Sequence, residues 1–215
     1  MKVKLKVCCI KSNAEADTAI AAGASAIGLV GRMPSGPGPI DDSLIYSIAQ
    51  YTGQKADTFL LTSETGGKGV VEHYKRTRTG TIQIVDEITP EDYNYIRKEI
   101  PDVKLVQVIH VIDEHSVEQA LRFAGYADYL LLDSGNPNLE VKELGGTGRT
   151  HNWNISRKIV EQVNMPVFLA GGLNYLNVKE AVDRVMPYGI DVCSGVRTGG
   201  SLDERKLEKF VRELE

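Results

Sequence analysis

The chain has 215 residues, of which 42% are hydrophobic and 25% are charged, so residues 1–215 can bury a substantial core as one domain. The formal net charge of −4 argues against a protein that binds nucleic-acid phosphates, since such proteins usually carry a basic face. The sequence has no apolar stretch of the roughly 18 residues that span a bilayer, and Met1–Lys6 lacks an apolar signal region. We therefore expect a cytoplasmic protein without a membrane partner.

Short β-rich apolar runs alternate with helical stretches along the whole chain. The predicted strands are Leu5–Ile10, Ala26–Val30, Thr58–Leu61, Thr81–Val85, Lys104–Ile109, Tyr129–Asp133, Pro166–Ala170 and Ile190–Cys193. The predicted helices are Ala14–Ala22, Asp41–Tyr51, Val70–Arg76, Pro90–Ile100, Ser116–Phe123, Ile155–Val163, Leu176–Val185 and Asp203–Leu214. This repeat predicts an α/β fold, a single (β/α)₈ TIM barrel.

A doubly wound open sheet would show the same alternation. Eight units at near-even spacing, and no Gly-x-Gly-x-x-Gly after the first strand, favour the barrel. In a barrel, functional side chains come from the C-terminal ends of the strands and from the loops that follow them.

The first strand presents a cysteine at its C-terminal end. Because side chains alternate along a strand, Leu5, Val7 and Cys9 share an apolar face that suits packing against helices, whereas Lys6 and Cys8 share the other face. Cys8 is therefore predicted to point into the barrel mouth, where a thiol can act as a base or a nucleophile. A small buried side chain without chemistry is the alternative.

The sixth strand ends in a carboxylate, Asp133. An acidic side chain at this place can serve as a general acid or base. The segment Ser134–Pro137 is strong turn sequence, so a turn-capping role for Asp133 is equally open.

Glycine-bearing loops follow the last three predicted strands. Gly145–Gly148 lies in a long loop, where glycines let backbone amides approach a ligand. Gly171–Gly172 and Ser194–Gly195 follow strands seven and eight, the place of the recurrent phosphate cradle of TIM barrels. We expect phosphate binding there; a flexible loop and simple turns are the alternatives.

Cysteines and histidines give no sign of a metal site. The chain has three cysteines, an odd number, and Cys8, Cys9 and Cys193 do not have the spacing of a paired motif. We therefore expect reduced thiols, and neither a disulfide framework nor a zinc site. The histidines lack metal-ligand spacing, and His110, near the end of strand five, is a weak site candidate.

Several short motifs, in order over nearly the whole chain, resemble the motifs of one known protein family. They are Lys6–Lys11, Ala22–Gly28, Leu131–Asp133, Gly145–Gly148 with Trp153, Leu169–Leu173 with Asn177 and Val178, and Asp191–Val196. In their joint order and spacing they resemble the phosphoribosylanthranilate isomerase family of tryptophan synthesis. Shared ancestry does not fix the substrate.

The resemblance implies an Amadori rearrangement of an N-(5-phosphoribosyl) amine, from an aminoaldose to an aminoketose, with no metal or organic cofactor. It implies that Asp133 is the general acid that opens the sugar ring, and that Cys8 is the base that removes the C2 proton. The implied binding residues, all in the glycine-bearing loops, are Gly146, Thr147, Gly171, Gly172, Ser194 and Gly195.

The chain departs from the family's pattern where the aglycone would bind. Pro34–Ile40 stands in place of Ser-x-Arg-x-Ile, so the arginine expected to hold anthranilate's carboxylate is missing, and Arg32 is the candidate to compensate. Gln83–Asp86 replaces Gln-Leu-His-Gly, Cys9 replaces a glycine, and Ser194–Arg197 replaces Ser-Gly-Val-Glu.

Three hypotheses follow: the isomerase itself, a paralogous phosphosugar isomerase with another aglycone, and a non-catalytic phosphate-ligand binder. The partner common to all is a small phosphosugar. A homodimer is compatible with the sequence, but helix faces alone do not reveal a partner surface.

Overall fold

Eight parallel strands form a closed barrel in the computed structural model, which describes residues 3–215. The strands are β1 Lys4–Val7, β2 Ala26–Val30, β3 Asp57–Thr62, β4 Thr81–Ile84, β5 Lys104–His110, β6 Tyr129–Asp133, β7 Val167–Leu169 and β8 Gly189–Val192. Each pairs with the next in the chain, and β8 pairs in parallel with β1. The predicted (β/α)₈ barrel is confirmed.

One helix of the outer layer follows each strand of the barrel. The helices are α1 Asn13–Ala21, α2 Asp42–Thr52, α3 Gly67–Thr77, α4 Pro90–Glu99, α5 His115–Phe123, α6 Trp153–Gln162, α7 Val178–Val185 and α8 Glu204–Arg212. None of the helices within residues 3–215 is long and apolar enough to cross a membrane.

Local sequence signals explain where several helices begin. Thr89 caps α4 through a capping box with Asp92, since its side chain accepts from the Asp92 backbone N–H and the Asp92 carboxylate accepts from the Thr89 backbone N–H. Ser12 caps α1 by accepting from the backbone N–H of Glu15, and Asn13 is the first helical residue.

The buried side chains form two groups, one on each side of the barrel wall. Outward-facing residues such as Leu5 and Val7 pack with the helices in the larger cluster. Inward-facing residues, among them Phe59, Val106 and Leu131, fill the barrel and support its C-terminal mouth.

After β8 the chain forms a short 3₁₀ helix, Ser194–Val196, and then a two-stranded ribbon of Arg197–Thr198 with Ser201–Leu202. Arg197 is buried and donates from Nη1 to the Glu15 carboxylate at 3.2 Å and from Nη2 to the Cys8 carbonyl at 3.2 Å. This side chain therefore ties the end of β8 to the loop that follows β1.

Candidate active site

A cavity opens at the C-terminal end of the barrel, where the strand ends and the following loops meet. The predicted site residues that line it are Cys8, Asp133, Gly146, Thr147, Gly171, Gly172 and Ser194. The structure thus brings both predicted acid–base residues and most predicted binding residues into one cavity.

Cys8 follows β1 directly and lines the cavity with 5% of its surface exposed. Its backbone N–H donates to the Val192 carbonyl at 2.8 Å, which continues the ladder between β1 and β8. β2 approaches closely because Gly28 faces the thiol: a Cβ atom at Gly28 would lie 2.6 Å from Cys8 Sγ and 3.2 Å from Lys6 Nζ. The ammonium of Lys6 therefore lies near the thiol.

Strict alternation along β1 predicted that the Cys9 side chain packs against the helices, but the structure places it elsewhere. It lies beyond the last residue of β1 and has a φ of 64°, in the left-handed region. This turn directs its side chain into the cavity, where its Sγ atom lies 2.7 Å from that of Cys193.

Asp133 is the last residue of β6 and is buried beside the cavity. The Ser134 backbone N–H donates to Oδ1 at 2.7 Å, while Oδ2 faces Gly145, whose Cβ atom, if present, would lie 2.7 Å away. Burial raises the pKa of the Asp133 carboxyl above its ordinary value. A carboxyl that keeps its proton to higher pH suits a general acid, and the same side chain also caps the turn.

A buried ion pair closes the cavity floor. Lys6 Nζ donates to Asp191 Oδ2 at 2.8 Å, and Lys6 and Asp191 face each other in the β1–β8 register. Burial disfavours the charge on Lys6, but attraction to Asp191 raises its pKa overall. Sequence reasoning missed this pair, although Lys6 shares the inward face of Cys8.

The glycine-bearing loops meet on the β6–β8 side of the mouth. Gly171 and Gly172 have φ of 80° and 62°, and a Cβ atom at Gly172 would lie 2.5 Å from the carbonyl carbon of Arg149, so glycine is required there. Within residues 3–215, the backbone N–H groups of Gly171, Gly172 and Ser194 have no protein acceptor, which leaves them available to an anion.

Three other candidates lie outside the lining of this cavity. The Arg32 side chain is exposed, so the structure does not bring it to the site. Gly195 packs against the main chain of the preceding loop, since a Cβ atom there would lie 2.0 Å from the Leu173 carbonyl oxygen. His110 is buried, with Nε2 at 2.9 Å from the Val85 carbonyl oxygen, and lies outside the cavity although near Asp133.

His151 lies directly behind the glycine loop of β7. A Cβ atom at Gly171 would lie 3.0 Å from its Nδ1, and its Nε2 is 2.7 Å from the Ser156 hydroxyl oxygen. Burial lowers the pKa of His151 to about 4, so this imidazole is neutral near pH 7. In residues 3–215 no group of three or more His, Cys, Asp or Glu side chains is placed to hold a metal ion.

Residues 68–213 match the family model of N-(5'-phosphoribosyl)anthranilate isomerase. The chain is 35% identical over 97% of its length to N-(5'-phosphoribosyl)anthranilate isomerase 2 of Methanosarcina mazei, 92% of which is covered. It is 32% identical to the isomerase of Methanocella arvoryzae, over 98% of this chain and 95% of that protein.

Solved structures agree with these sequence relationships. The isomerase of Pyrococcus furiosus superposes with a TM-score of 0.81 at 28% identity, over 99% of this chain and 98% of the other. That of Thermococcus kodakaraensis gives a TM-score of 0.82 at 25% identity over the same shares.

Proposed function

This chain belongs to the N-(5'-phosphoribosyl)anthranilate isomerase family, whose members are aldose–ketose isomerases, and we propose that Cys8 and Asp133 are its catalytic base and acid. The reaction is the Amadori rearrangement of an N-(5-phosphoribosyl) amine. One observation supports these roles above all: the thiol and the carboxyl line the same cavity as the phosphate-binding glycines.

The phosphate of the substrate binds at the glycine loops. The free N–H groups of Gly171, Gly172 and Ser194 donate to its oxygens, with Gly146 and Thr147 lining the approach. This anchor fixes the ribose over the barrel mouth, so that binding energy far from the reacting carbon positions the sugar.

Ring opening is the task of Asp133. Its carboxyl donates a proton to the ring oxygen as the bond from that oxygen to C1 breaks, and the lone pair of the amine nitrogen forms the C1–N double bond. The raised pKa of Asp133 keeps a larger fraction protonated than an exposed aspartate would have.

Isomerisation is the task of Cys8. Its thiolate removes the proton from C2, the electron pair of that C–H bond forms the C1–C2 double bond, and the π pair of the C1–N bond returns to nitrogen, which gives an enol. C1 then gains a proton while the hydroxyl on C2 loses one, and the product is the ketone.

Two single substitutions test these roles. With N-(5'-phosphoribosyl)anthranilate made in situ as the first substrate, we expect Cys8→Ala and Asp133→Asn each to lower kcat by about 10²–10⁴-fold, while the affinity for ribose 5-phosphate stays within a few-fold. Asp113→Asn is the matched control, because Asp113 is exposed and also accepts a backbone N–H bond. Unchanged rates in both variants would overturn the assignment.

A purely binding protein is the competing function. It predicts phosphosugar affinity without turnover in the wild-type chain, and no rate that depends on Cys8. The cytoplasmic location and a homodimer stay predictions, and light scattering of the purified protein measures the second directly.

A further inference from the structure

Cys9 and Cys193 bring two thiols into contact on the wall of the cavity. At 2.7 Å their Sγ atoms are only roughly 0.7 Å farther apart than in a disulfide, whose S–S bond is about 2.05 Å long. Both thiols are free in the structure, and with Cys8 they are all the cysteines of the chain. Neither has a part in the proton transfers proposed for Cys8 and Asp133. The pair is therefore a reactive group that the isomerase chemistry leaves unused.

The backbone segments that carry the two thiols are held together. The Cys8 N–H donates to the Val192 carbonyl at 2.8 Å, and Arg197 donates from Nη2 to the carbonyl oxygens of both Cys8 and Cys9. With its φ of 64°, Cys9 turns its side chain out of the line of β1 and toward Cys193. The gap that remains between the sulfurs is small enough for the side chains to close while the strands stay paired.

The two thiols differ in access and in acidity. Cys193 is half-buried on the cavity wall, whereas only 4% of Cys9 is exposed. The hydrogen bond between the thiols and the positive charge of Arg197 lower the pKa of Cys193 against the effect of burial. A small oxidant that enters the cavity therefore meets Cys193 as the attacking thiol, with Cys9 behind it as the second thiol.

Cys8 is not placed to replace either member of the pair. Its Sγ atom faces β2, since a Cβ atom at Gly28 would lie 2.6 Å from it, whereas Cys193 follows β8 on the other side of β1. Cys8 and Cys9 are neighbours in the chain, and the Cα atoms of neighbours lie about 3.8 Å apart, below the usual range of about 4.4–6.8 Å for a disulfide. The proposed catalytic base is thus left outside the cross-link.

We propose that Cys9 and Cys193 are a modification site that reacts with a low-molecular-weight disulfide, such as glutathione disulfide, to form a reversible disulfide across the cavity wall. The Cys193 thiolate attacks one sulfur of the reagent, whose S–S bond breaks, and one reagent thiol leaves. Cys9 loses its proton to solvent, attacks Cys193 Sγ and releases the second reagent thiol. The protein thiols lose two electrons in total, and the reagent is reduced to two thiols.

The cross-link would act on both halves of the proposed active site. Cys9 directly follows Cys8, the proposed base, and Cys193 directly precedes Ser194, a proposed phosphate donor. Drawing the two sulfurs together shifts these neighbours relative to each other, and catalysis is sensitive to displacements well below the size of an atom. We therefore expect the disulfide to slow turnover. This consequence rests on the proposed function, whereas the modification site does not.

Peptide mapping of the whole protein tests the site. Reduced protein is incubated with excess glutathione disulfide at about pH 8, free thiols are blocked with iodoacetamide, and a trypsin digest is analysed by mass spectrometry. We expect one disulfide to join peptides Val7–Lys11 and Val185–Arg197, and dithiothreitol to separate them. Three thiols that all stay free, or a stable glutathione adduct on Cys193 without the link, would overturn the proposal.

Single substitutions identify the partners, because Cys8 and Cys9 lie in the same tryptic peptide. Cys8→Ala should still form the link, whereas Cys9→Ser and Cys193→Ser should not. A link that persists in Cys9→Ser would assign the partner of Cys193 to Cys8 and contradict the proposed pair. The mapping needs no turnover, so its result is independent of whether the chain is an active isomerase.

The effect on catalysis is measured as the ratio of kcat after oxidation to kcat of the same protein in its reduced form, with N-(5'-phosphoribosyl)anthranilate made in situ. We expect a fall of about tenfold or more in wild type, recovery with dithiothreitol, and a ratio near one in Cys193→Ser. A linked wild-type protein with unchanged kcat would reject the effect on catalysis and leave the modification site standing. An equal loss in Cys193→Ser would assign the inactivation to Cys8 and reject that effect as well.

Discussion

The Sγ atoms of Cys9 and Cys193 lie 2.7 Å apart on the wall of the cavity, although 184 positions separate them in the chain. Their hydrogen bond makes the two thiols unequal. The hydrogen bond and burial both raise the pKa of Cys9. For Cys193 the hydrogen bond and the positive charge of Arg197 lower the pKa, and they outweigh the opposite effect of burial. Of these two thiols, Cys193 is therefore the one that ionises first.

The rates of alkylation should follow this difference in pKa. We expect iodoacetamide near pH 7.5 to modify Cys193 at least about tenfold faster than Cys9, since the thiolate is the nucleophile and Cys193 is also the more exposed of the two. Peptide mass mapping over a time course measures both rates. Faster modification of Cys9 would contradict this order of ionisation.

Gly145 should control the position of the Asp133 carboxyl, the proposed general acid. It has a φ of 135°, and a Cβ atom there would lie 2.7 Å from Asp133 Oδ2. We expect Gly145→Ala to lower kcat by roughly tenfold or more through displacement of that oxygen, with binding of ribose 5-phosphate retained. Gly199→Ala is the matched control, because Gly199 also has a positive φ, 58°, but open space around its Cβ position. Equal losses in both variants would point to backbone strain alone.

Much of the site could be predicted because its signals are local. The period-two pattern of β1 placed Cys8 inward, and the carboxylate that ends β6 placed Asp133 at the mouth. The same pattern misplaced Cys9, because alternation stops where the strand ends and the backbone enters the left-handed region. Arg32 lies outside the cavity lining, since no periodicity constrains the direction of a loop side chain, and its role toward a carboxylate stays a prediction.

The Lys6–Asp191 pair could not be predicted from either strand alone. The two residues lie 185 positions apart and face each other only through the register in which β8 closes the barrel on β1. The alternation of strands and helices predicted the fold, and the order of the motifs carried the family resemblance. That resemblance gave no information on the residues that replace the missing arginine, and the extent of the domain over residues 1–215 stays a prediction.

Breaking this ion pair should destabilise the barrel. We expect Lys6→Met to lower the free energy of unfolding by about 3–5 kcal/mol, because Asp191 is left buried without its partner. The double variant Lys6→Met/Asp191→Leu should recover a large part of that loss, since apolar side chains of similar size replace both charges. Urea unfolding monitored by circular dichroism measures each value. A double variant no more stable than Lys6→Met would show that packing, rather than the unpaired charge, explains the effect.

Asp133 should make the wild-type protein less stable at neutral pH than it would be with a neutral side chain. Its folded-state pKa lies above the ordinary 3.8, mainly because of burial, so the folded chain holds this proton more tightly than the unfolded chain does. Stability contributed by the proton is present below about pH 3.8 and is lost as the pH rises through the folded-state pKa. Asparagine cannot ionise and can still accept the Ser134 N–H bond, so Asp133→Asn should be more stable than wild type near pH 7.

The gain from Asp133→Asn should shrink as the pH is lowered toward 3.8, below which Asp133 carries its proton in both the folded and the unfolded chain. Urea unfolding of both proteins between pH 4 and pH 8 measures this difference. Asp113→Asn serves as the control. The carboxyl of Asp113 accepts a backbone N–H bond at 2.9 Å, as that of Asp133 does at 2.7 Å, but Asp113 is exposed. A stability difference for Asp133→Asn that is independent of pH, or one that favours wild type at pH 7, would contradict the buried, proton-holding acid on which the proposed ring-opening step depends.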